Sequence, residues 1–240
     1  MSDVARFVVV VPVYNDSKRL ADFAPGLAES LAACGEVVTL CIADDGSVEE
    51  ERSAARTVVT GLQQQGCPAE FLEFTHRGKG AAVREAWAHY PQAKWLAFVD
   101  ADGATPAGDV VHLLEHARTA TKPVAVVGER SAQTVYVRMR RKFAHRAFAM
   151  IARRVLRIGI PDPQCGAKII PGAIFRQVHK DLKEDGFAFD CELLVALQGR
   201  GVVLQSIPVS WKEKQQSTLR VSRVAWPMLR AIFRIRSRYF

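Results

Sequence analysis

The chain has 240 residues, 49% of them hydrophobic and 24% charged, which is typical of a globular protein that buries a substantial core. Its five cysteines are odd in number and none belongs to a Cys-x-x-Cys pair, which argues against a disulfide framework and against a zinc site. Apolar runs are all shorter than the roughly 18–20 residues that span a bilayer, and a strand begins by about Arg6, so we expect neither a transmembrane helix nor a signal peptide.

The net charge of +8 is unevenly distributed. Residues 130–157 hold nine Lys or Arg and no acid, and residues 212–240 hold eight against a single Glu, so the rest of the chain is acidic overall. An acidic body with two basic segments indicates a phosphorylated substrate, an anionic membrane surface or nucleic acid as a partner. The basic segments lack the spaced aromatic residues of an RNA-binding sheet, which argues against nucleic acid.

Short apolar runs alternate with amphipathic segments over the first 128 residues. The predicted strands are 6–14, 36–43, 70–75, 94–99 and 124–128, and the predicted helices are about 17–33, 49–65, 78–90 and 106–120. This alternation predicts an α/β fold with a mainly parallel sheet and helices on both of its faces.

The pattern changes after Gly128. A long basic helix is predicted over 135–157, followed by a helix over 190–198, a strand over 202–209 and a final helical segment. The sequence contains no internal repeat, low-complexity tract or linker, so we expect residues 1–240 to form a single domain.

Two acidic motifs follow apolar runs, Ala43–Ser47 (ADDGS) and Phe98–Gly103 (FVDADG). In open α/β sheets, ligands bind at the carboxyl ends of the strands, so both motifs can face one crevice. The spacing of Asp100 and Asp102 suits Mg²⁺, which takes one or two carboxylates together with substrate phosphates and water. An Asp-Gly pair also forms turns, so a purely structural role stays open.

Seven motifs, spread over nearly the whole chain, resemble those of one known protein family. They are VVVPVYN (9–15), ADDGS (43–47), GKG (78–80), VDAD (99–102), DPQCGAK (162–168), FAFDCELL (187–194) and IPVSWKE (207–213). With them the chain resembles family 2 glycosyltransferases of the GT-A fold, and more narrowly the dolichyl-phosphate and polyprenyl-phosphate sugar synthases. The last three motifs resemble the dolichyl-phosphate glucosyltransferase branch.

The resemblance implies a Rossmann-like, mostly parallel sheet flanked by helices, with a basic amphipathic helix at the C-terminus. Residues 1–128 would bind the nucleotide-sugar, and residues 129–240 would bind the acceptor and carry membrane-facing basic helices. The implied reaction is an inverting, metal-dependent transfer of a hexose, with UDP-glucose as the expected donor, Mg²⁺ or Mn²⁺ as the cofactor and a polyprenyl or dolichyl phosphate as the acceptor. The oligomeric state is left open.

The resemblance also assigns residues to the donor site. The nucleotide-sugar residues are Pro12, Tyr14, Asn15, Asp44, Asp45, Gly46, Lys79, Gly80, Asp100 and Ala101. Asp102 would be the direct metal ligand and Asp100 would lie nearer the ribose, while Ala104 stands where some relatives carry a Gln. Asp45 could instead cap the helix that follows it.

The catalytic residues that the resemblance implies are Asp190, Asp102, Arg130 and Arg141, and the acceptor or sugar residues are Gln164, Cys165 and Lys168. Asp190 stands where relatives that act on hydroxyl acceptors place a general base. A lipid phosphate has a second pKa of about 6 and needs no base, so Asp190 would then position the acceptor. A third possibility is that Asp190 caps its own helix.

The last fifteen residues favour an interfacial amphipathic helix. Met228, Leu229, Ile232 and Phe233 are predicted to share one face, with arginines every four residues on another. We therefore expect a cytoplasmic protein, peripheral at the inner face of an anionic membrane; packing of this helix on the core is the alternative. Two other functions stay open: transfer to a saccharide or small-molecule hydroxyl with Asp190 as base, and binding of a nucleotide-sugar without catalysis.

Overall fold

The computed structural model describes residues 7–130, 139–211 and 221–240, and for the helical residues 139–146 and 221–225 it describes the backbone alone. The strands are β1 (Phe7–Val13), β2 (Val38–Asp44), β3 (Ala69–Glu73), β4 (Trp95–Val99), β5 (Val124–Arg130), β6 (Ala167–Pro171) and β7 (Val203–Val209). The helices are α1 (Ser17–Ala32), α2 (Glu49–Gln64), α3 (Lys79–Ala88), α4 (Ala107–Thr119), α5 (Met139–Leu156), α6 (Gly172–Val178), α7 (Phe189–Gln198) and α8 (Val221–Tyr239).

The seven strands form one sheet in the order β3-β2-β1-β4-β6-β5-β7. Strands β1 to β4 are parallel to one another, and β7 is parallel to β5. Strand β6 runs antiparallel to both β4 and β5. The N-terminal end of β6 therefore lies beside the C-terminal ends of β4 and β5.

Both faces of the sheet are covered by helices, which explains the continuous apolar run of β1. Phe7, Val9 and Val11 point into one buried cluster, whereas Val8 and Val10 point into the other. A strand buried on both faces has no solvent-facing position, so its sequence does not alternate between apolar and polar residues.

The α/β alternation predicted over 6–128 is confirmed, with strand ends within a few residues of the predicted ones. The sequence did not predict β6 or α6, because the five-residue strand follows a loop motif and carries a lysine among its apolar residues. The predicted helix over 135–157 is α5; residues 135–138 of that prediction lie outside the described ones.

Helix α8 packs on the protein with only part of the predicted apolar face. Ile232 and Ile235 are fully buried, whereas Phe233 is exposed, so Ile232 and Phe233 do not share one environment. Arg234 and Arg238 pair with the buried acids Glu184 and Glu192, while the Arg234 side chain stays about half exposed. None of the helices within 7–130, 139–211 and 221–240 is both long and apolar enough to cross a membrane.

Candidate active site

The predicted site residues meet at one edge of the sheet, which we call the carboxyl edge. It is formed by the C-terminal ends of β1, β2, β4 and β5 and by the N-terminal end of β6. The residues at or just beyond these ends are Tyr14, Asp44, Asp45, Asp100, Asp102, Arg130, Gln164 and Lys168. Because β6 is antiparallel, it delivers the 162–168 motif to the same crevice as the two acidic motifs.

Asp44, the last residue of β2, is a fully buried carboxylate. Its Oδ2 accepts a hydrogen bond from the Ser47 N–H (3.0 Å) and lies 3.6 Å from the Arg52 Nε. Its Oδ1 is buried and has no hydrogen-bond partner among the described residues. An unpaired buried carboxylate oxygen is costly, so Oδ1 is available to accept a hydrogen bond from a ligand.

Asp45 fixes the turn that precedes α3. Its Oδ1 accepts a hydrogen bond from the Arg77 N–H (2.9 Å), its Oδ2 accepts one from the Gly78 N–H (2.9 Å), and the His76 ring contacts the same carboxylate at 2.9 Å. Gly78 has φ +124°, a conformation that side chains disfavour. The helix after Asp45, α2, has no side-chain cap, so the predicted capping alternative is wrong.

Two stacked aromatic rings, Tyr14 and His76, lie beside the turn that precedes α3. The rings of Tyr14 and His76 stack with their centroids 4.0 Å apart, and Tyr14 remains about half exposed. Asn15 joins the neighbouring loops, since its N–H donates to the Ser47 hydroxyl (2.9 Å) and its Oδ1 accepts from the Val48 N–H (2.9 Å). The Tyr14 ring therefore offers a flat exposed surface held by a rigid loop.

The other donor-site predictions lie close by. Pro12 is within β1 opposite Ala43, and Ala101 is part of the core. Gly46 has φ +73° and lies against the His76 backbone. These residues shape the crevice through the backbone.

Asp100 and Asp102 follow β4 and are held by backbone contacts. The Asp100 N–H donates to the Gly166 carbonyl (2.9 Å), and the Ala104 N–H donates to Asp102 Oδ1 (2.9 Å). A Cβ atom at position 166 would lie 1.9 Å from Asp100 Oδ2, so this approach requires glycine. Burial and the nearby charge of Asp100 raise the pKa of Asp102 above its ordinary value.

An alternating row of charges runs inward from Asp100. The Lys79 Nζ lies 2.7 Å from Asp100 Oδ1 and 3.5 Å from Asp190 Oδ2. The Lys168 Nζ donates to Asp190 Oδ1 and to the Cys165 carbonyl (2.7 Å). Burial alone would lower the pKa of Lys79, but the charges of Asp100 and Asp190 outweigh it and raise that pKa.

Lys168 and Asp190 can be buried as charged groups because each has a partner of opposite charge in this row. Lys168 has no exposed surface, and Asp190 is almost as buried. The Phe98 ring lies 4.6 Å from the Lys79 Nζ and 5.3 Å from the Lys168 Nζ, within cation–π range of both. Asp190 lies in the first turn of α7, whose N-cap is Ala188 with no side-chain cap, so the predicted capping role of Asp190 is wrong.

Arg130 ends β5 and forms a fork with Asp162. Its Nε donates to Asp162 Oδ2 and its Nη2 to Asp162 Oδ1, both at 2.6 Å. Burial opposes ionisation of Asp162, but the hydrogen bonds and charge of Arg130 outweigh it, so the pKa of Asp162 lies below its ordinary value. The Arg130 guanidinium also lies 5.7 Å from the Trp211 ring centroid. The side chain of Arg141 is outside the described residues.

Two acceptor-site predictions have different environments. The Gln164 side chain is partly exposed and its Nε2 donates to the Phe187 carbonyl (3.5 Å). The Cys165 thiol is fully buried, and a Cβ at Gly128 would lie 2.8 Å from its sulfur. Burial raises the pKa of Cys165 to about 11, so this thiol is not a nucleophile near neutral pH. Cys165 reaches the crevice through its carbonyl.

Sequence reasoning missed three residues that hold the site. His76 supports Tyr14 and Asp45, Asp162 holds Arg130, and Trp211 lies beside the Arg130 guanidinium. Asp162 and Trp211 lie within motifs that carried the resemblance, yet their partners are 32 and 81 residues away. Only the sheet order brings these pairs together.

Comparison with known proteins places this site in a family. The family model described as "Glycosyl transferase family 2" matches residues 8–178. The chain is 27% identical to a dolichyl-phosphate beta-glucosyltransferase of Saccharomyces cerevisiae, over 96% of this chain and 74% of that protein. It is 29% identical to one of Trichomonas vaginalis, over 89% of this chain and 66% of that protein.

Solved structures show the fold. Glucosyl-3-phosphoglycerate synthase from Mycobacterium tuberculosis, crystallised with Mn²⁺, UDP and glucosyl-3-phosphoglycerate, superposes with a TM-score of 0.69 at 14% identity, covering 98% of this chain and 80% of that one. This similarity confirms the GT-A fold predicted from the motifs. With the family model covering most of its length, the chain belongs to glycosyl transferase family 2.

Proposed function

We propose that the protein transfers glucose from UDP-glucose to a polyprenyl phosphate, with a divalent cation, at the surface of an anionic membrane. The sugar and the acceptor class are supported by the relatives, which are dolichyl-phosphate beta-glucosyltransferases. One observation of this chain carries the choice of a phosphate over a hydroxyl acceptor: both oxygens of Asp190 face ammonium groups.

The donor would lie along the carboxyl edge. Asp44 Oδ1 offers a buried acceptor for an N–H or hydroxyl of the nucleoside, and the exposed Tyr14 ring offers a surface for a base. The diphosphate would then extend toward Asp100 and Asp102, the next acidic residues along this edge.

The residues present fit a divalent cation. Asp100 and Asp102 supply hard oxygen ligands on one loop. Burial, together with the nearby charge of Asp100, raises the pKa of Asp102, so a bound cation would favour its ionised form. Asp102 and Asp100 would hold Mg²⁺ or Mn²⁺. When bound, the cation would neutralise charge that builds on the departing diphosphate.

The environment of Asp190 favours an acceptor that is already ionised. The two lysines hold the oxygens that a general base would turn toward a substrate hydroxyl: Asp190 Oδ1 accepts from Lys168, and Oδ2 lies 3.5 Å from Lys79. A phosphate monoester is largely ionised near neutral pH and attacks the anomeric carbon unaided. Asp190 then acts by holding both lysines in place.

Two cationic groups would meet the acceptor phosphate. Arg130 ends β5 at the carboxyl edge, and its pairing with Asp162 fixes the plane of the guanidinium. Arg141 belongs to the basic helix α5. Arginine presents a planar set of donors to phosphate oxygens, and a fixed plane reduces the entropy lost on binding.

An aromatic and basic stripe on α8 supports membrane association. Trp226, Phe233 and Phe240 are 61%, 60% and 58% exposed and, with Arg230, are spaced along one side of the helix. The Arg230 guanidinium lies 5.2 Å from the Trp226 ring centroid. Large apolar side chains beside arginines suit the boundary between headgroups and acyl chains of an anionic membrane.

The test uses purified protein, Mn²⁺ or Mg²⁺, a panel of UDP- and GDP-sugars, and a short polyprenyl phosphate. Nucleotide release and lipid-linked sugar are measured together. We expect lipid-linked glucose from UDP-glucose alone, loss of this product in Asp102→Ala, and less than about a hundred-fold loss in Asp190→Asn, because general-base catalysis contributes about 10²–10⁴-fold.

Other outcomes would redirect the assignment. A loss of a thousand-fold or more in Asp190→Asn, with UDP released only when a saccharide or small hydroxyl compound is present, would favour the hydroxyl acceptor and Asp190 as base. If the protein binds UDP-glucose but releases no UDP in the presence of any acceptor, that result would contradict transferase activity. Liposome co-sedimentation that does not respond to anionic lipid, or to Trp226→Ala with Phe233→Ala, would contradict the membrane assignment.

A further inference from the structure

We propose that Arg234 and Arg238 of the C-terminal helix α8 are positioning residues for the donor site. They act through a buried acidic pair, Glu184 and Glu192, on the segment 182–186 that supports the N-terminus of α3. These contacts give α8 a role in nucleotide binding that is separate from its exposed aromatic stripe.

The first step is the contact between α8 and the acidic pair. The Arg234 guanidinium forks onto Glu184, with Nε to Oε1 at 3.1 Å and Nη2 to Oε2 at 2.6 Å. The Arg238 Nη1 donates to Glu192 Oε1, and its Nη2 lies 3.8 Å from Glu184 Oε1. Glu192 is fully buried and Glu184 nearly so, and such charges stay buried only with partners. Arg238 supplies the partner of Glu192 Oε1.

The second step fixes the segment between α6 and α7. Glu192 Oε2 accepts hydrogen bonds from the N–H groups of Lys183 (2.8 Å) and Glu184 (2.7 Å). One carboxylate thus binds α8 through one oxygen and the 182–186 segment through the other. Loss of Arg238 leaves Oε1 unpaired in the interior, and the carboxylate must then turn or draw in water.

The third step joins that segment to α3. The Asp185 carbonyl accepts from the Ala81 N–H (3.0 Å), and the Asp185 carboxylate accepts from Arg84 Nη2 (2.6 Å) and Arg77 Nη2 (2.9 Å). A Cβ at Gly78 would lie 2.7 Å from the same carbonyl, so the two backbones are in direct contact.

The consequence reaches the charged row of the active site. Lys79 is the first residue of α3 and forms ion pairs with Asp100 and Asp190. The Gly78 N–H donates to the Asp45 carboxylate at the turn before α3. A Cβ at Gly80 would lie 2.3 Å from the Phe189 Cβ, so α3 also presses directly on α7. A shift of the 182–186 segment therefore moves Lys79 and the turn together.

Helix α8 provides its own control. Arg236 lies between the two positioning residues in sequence, but its Nη1 donates to the Val155 carbonyl of α5 (2.6 Å) and it has no described contact with the acidic pair. Arg236→Ala removes an anchor of α8 while leaving the path to α3 intact. Arg238→Ala removes one of the two contacts between α8 and the acidic pair.

The experiment measures UDP–Mn²⁺ affinity by calorimetry and amide hydrogen exchange of residues 78–85, without lipid, in the full chain. We expect Arg238→Ala to raise the UDP–Mn²⁺ Kd about ten-fold. This is the change in affinity that corresponds to the free energy of one charge-assisted hydrogen bond to a buried group. Arg234→Ala, whose side chain is half exposed, should raise it about three-fold. Both should speed exchange at Ala81, whereas Arg236→Ala should change neither quantity, and Arg238→Lys should recover part of the affinity.

The proposal rests on the proposed function only for the choice of UDP–Mn²⁺ as the probe. If the wild-type protein does not bind UDP–Mn²⁺, the proposed function fails; the exchange rates at Ala81 still test the path. Folded Arg234→Ala and Arg238→Ala proteins with wild-type affinity and exchange would overturn the proposal. If Arg238→Ala does not fold, Arg234→Ala against Arg236→Ala decides it, and equal effects of these two would overturn it.

Discussion

A single methyl group at Gly166 is expected to disable the donor site without unfolding the protein. The Gly166→Ala side chain would place its Cβ 1.9 Å from Asp100 Oδ2, whereas real Cβ contacts essentially never fall below 3.0 Å. The Asp100 carboxylate must therefore retreat by about 1.1 Å or more. The backbone hydrogen bond from Asp100 to the Gly166 carbonyl, at 2.9 Å, resists a movement of the main chain.

The magnitude follows from this geometry. Asp100 is 42% exposed, so its side chain can rotate toward solvent, and the loss of unfolding free energy should stay near 1 kcal/mol, similar to a side chain ~30° off its rotamer. Rotation also breaks the 2.7 Å contact with Lys79. A catalytic group displaced by about 1 Å loses about 10²-fold in rate, which corresponds to about 2.7 kcal/mol of transition-state stabilisation.

The assay compares kcat/KM for glucosyl transfer, UDP–Mn²⁺ affinity and urea unfolding between wild type and Gly166→Ala. Gly108→Ala is the matched control, because a Cβ at Gly108, within α4, meets nothing within 4 Å. It should keep full activity and gain about 0.5–1 kcal/mol of stability from helix propensity. Gly166→Ala with activity within two-fold of wild type would refute the assigned position of Asp100. A large loss of stability in parallel with activity would refute the argument that the side chain yields.

Three further predictions concern the buried charges and the thiols. Lys168→Met should lower the free energy of unfolding in urea by about 3–5 kcal/mol, because it leaves Asp190 buried without its main partner. Adding Asp190→Asn to this variant should recover part of the loss. A loss below about 1 kcal/mol would argue against the pair. Although burial opposes ionisation of Asp162, Arg130 holds the pKa of Asp162 below the ordinary value of about 3.9. The contribution of the pair to the free energy of unfolding is therefore fully present above about pH 4 and is lost as the pH falls through the lowered pKa. Asp162→Asn should therefore be less stable than wild type at pH 6 and approach it in acid, and a constant difference in thermal unfolding from pH 6 to pH 3 would contradict this. A thiol reagent at pH 8 should label only two of the five cysteines before unfolding, because burial raises the pKa of each of the other three to about 11 or 12; labelling of a third in the native protein would contradict their burial. The reactive pair are Cys34 and Cys67.

The strands and the acidic motifs were predictable because their signals are local. The β-branched run Val8–Val11 is typical of a strand buried on both faces, and Asp44 and Asp100 stand where such strands end. Strand β6 was missed because it is only five residues long, follows a loop motif and carries Lys168 among its apolar residues. The lysine is tolerated there only because Asp190, from a distant helix, pairs with it.

The partners within the site could not be read from the sequence. Lys79 is predicted to face the nucleotide, yet the side chain pairs with Asp100 and Asp190, which lie 21 and 111 residues away. The arginines of the C-terminal segment look alike in sequence. Arg230 lies beside Trp226 on the exposed stripe, whereas Arg234 lies against Glu184. Tertiary packing decides which of these arginines pair with buried acids.

In the proposed mechanism, the acceptor's phosphate attacks the sugar without a protein base. The most direct measurement offers wild-type enzyme, UDP-[¹⁴C]glucose and Mn²⁺ either a polyprenyl phosphate or the matching polyprenol of the same chain length, in identical anionic vesicles. We expect lipid-linked glucose from the phosphate and none from the alcohol. Glucosylation of the alcohol at a comparable rate would require a general base and would overturn this mechanism.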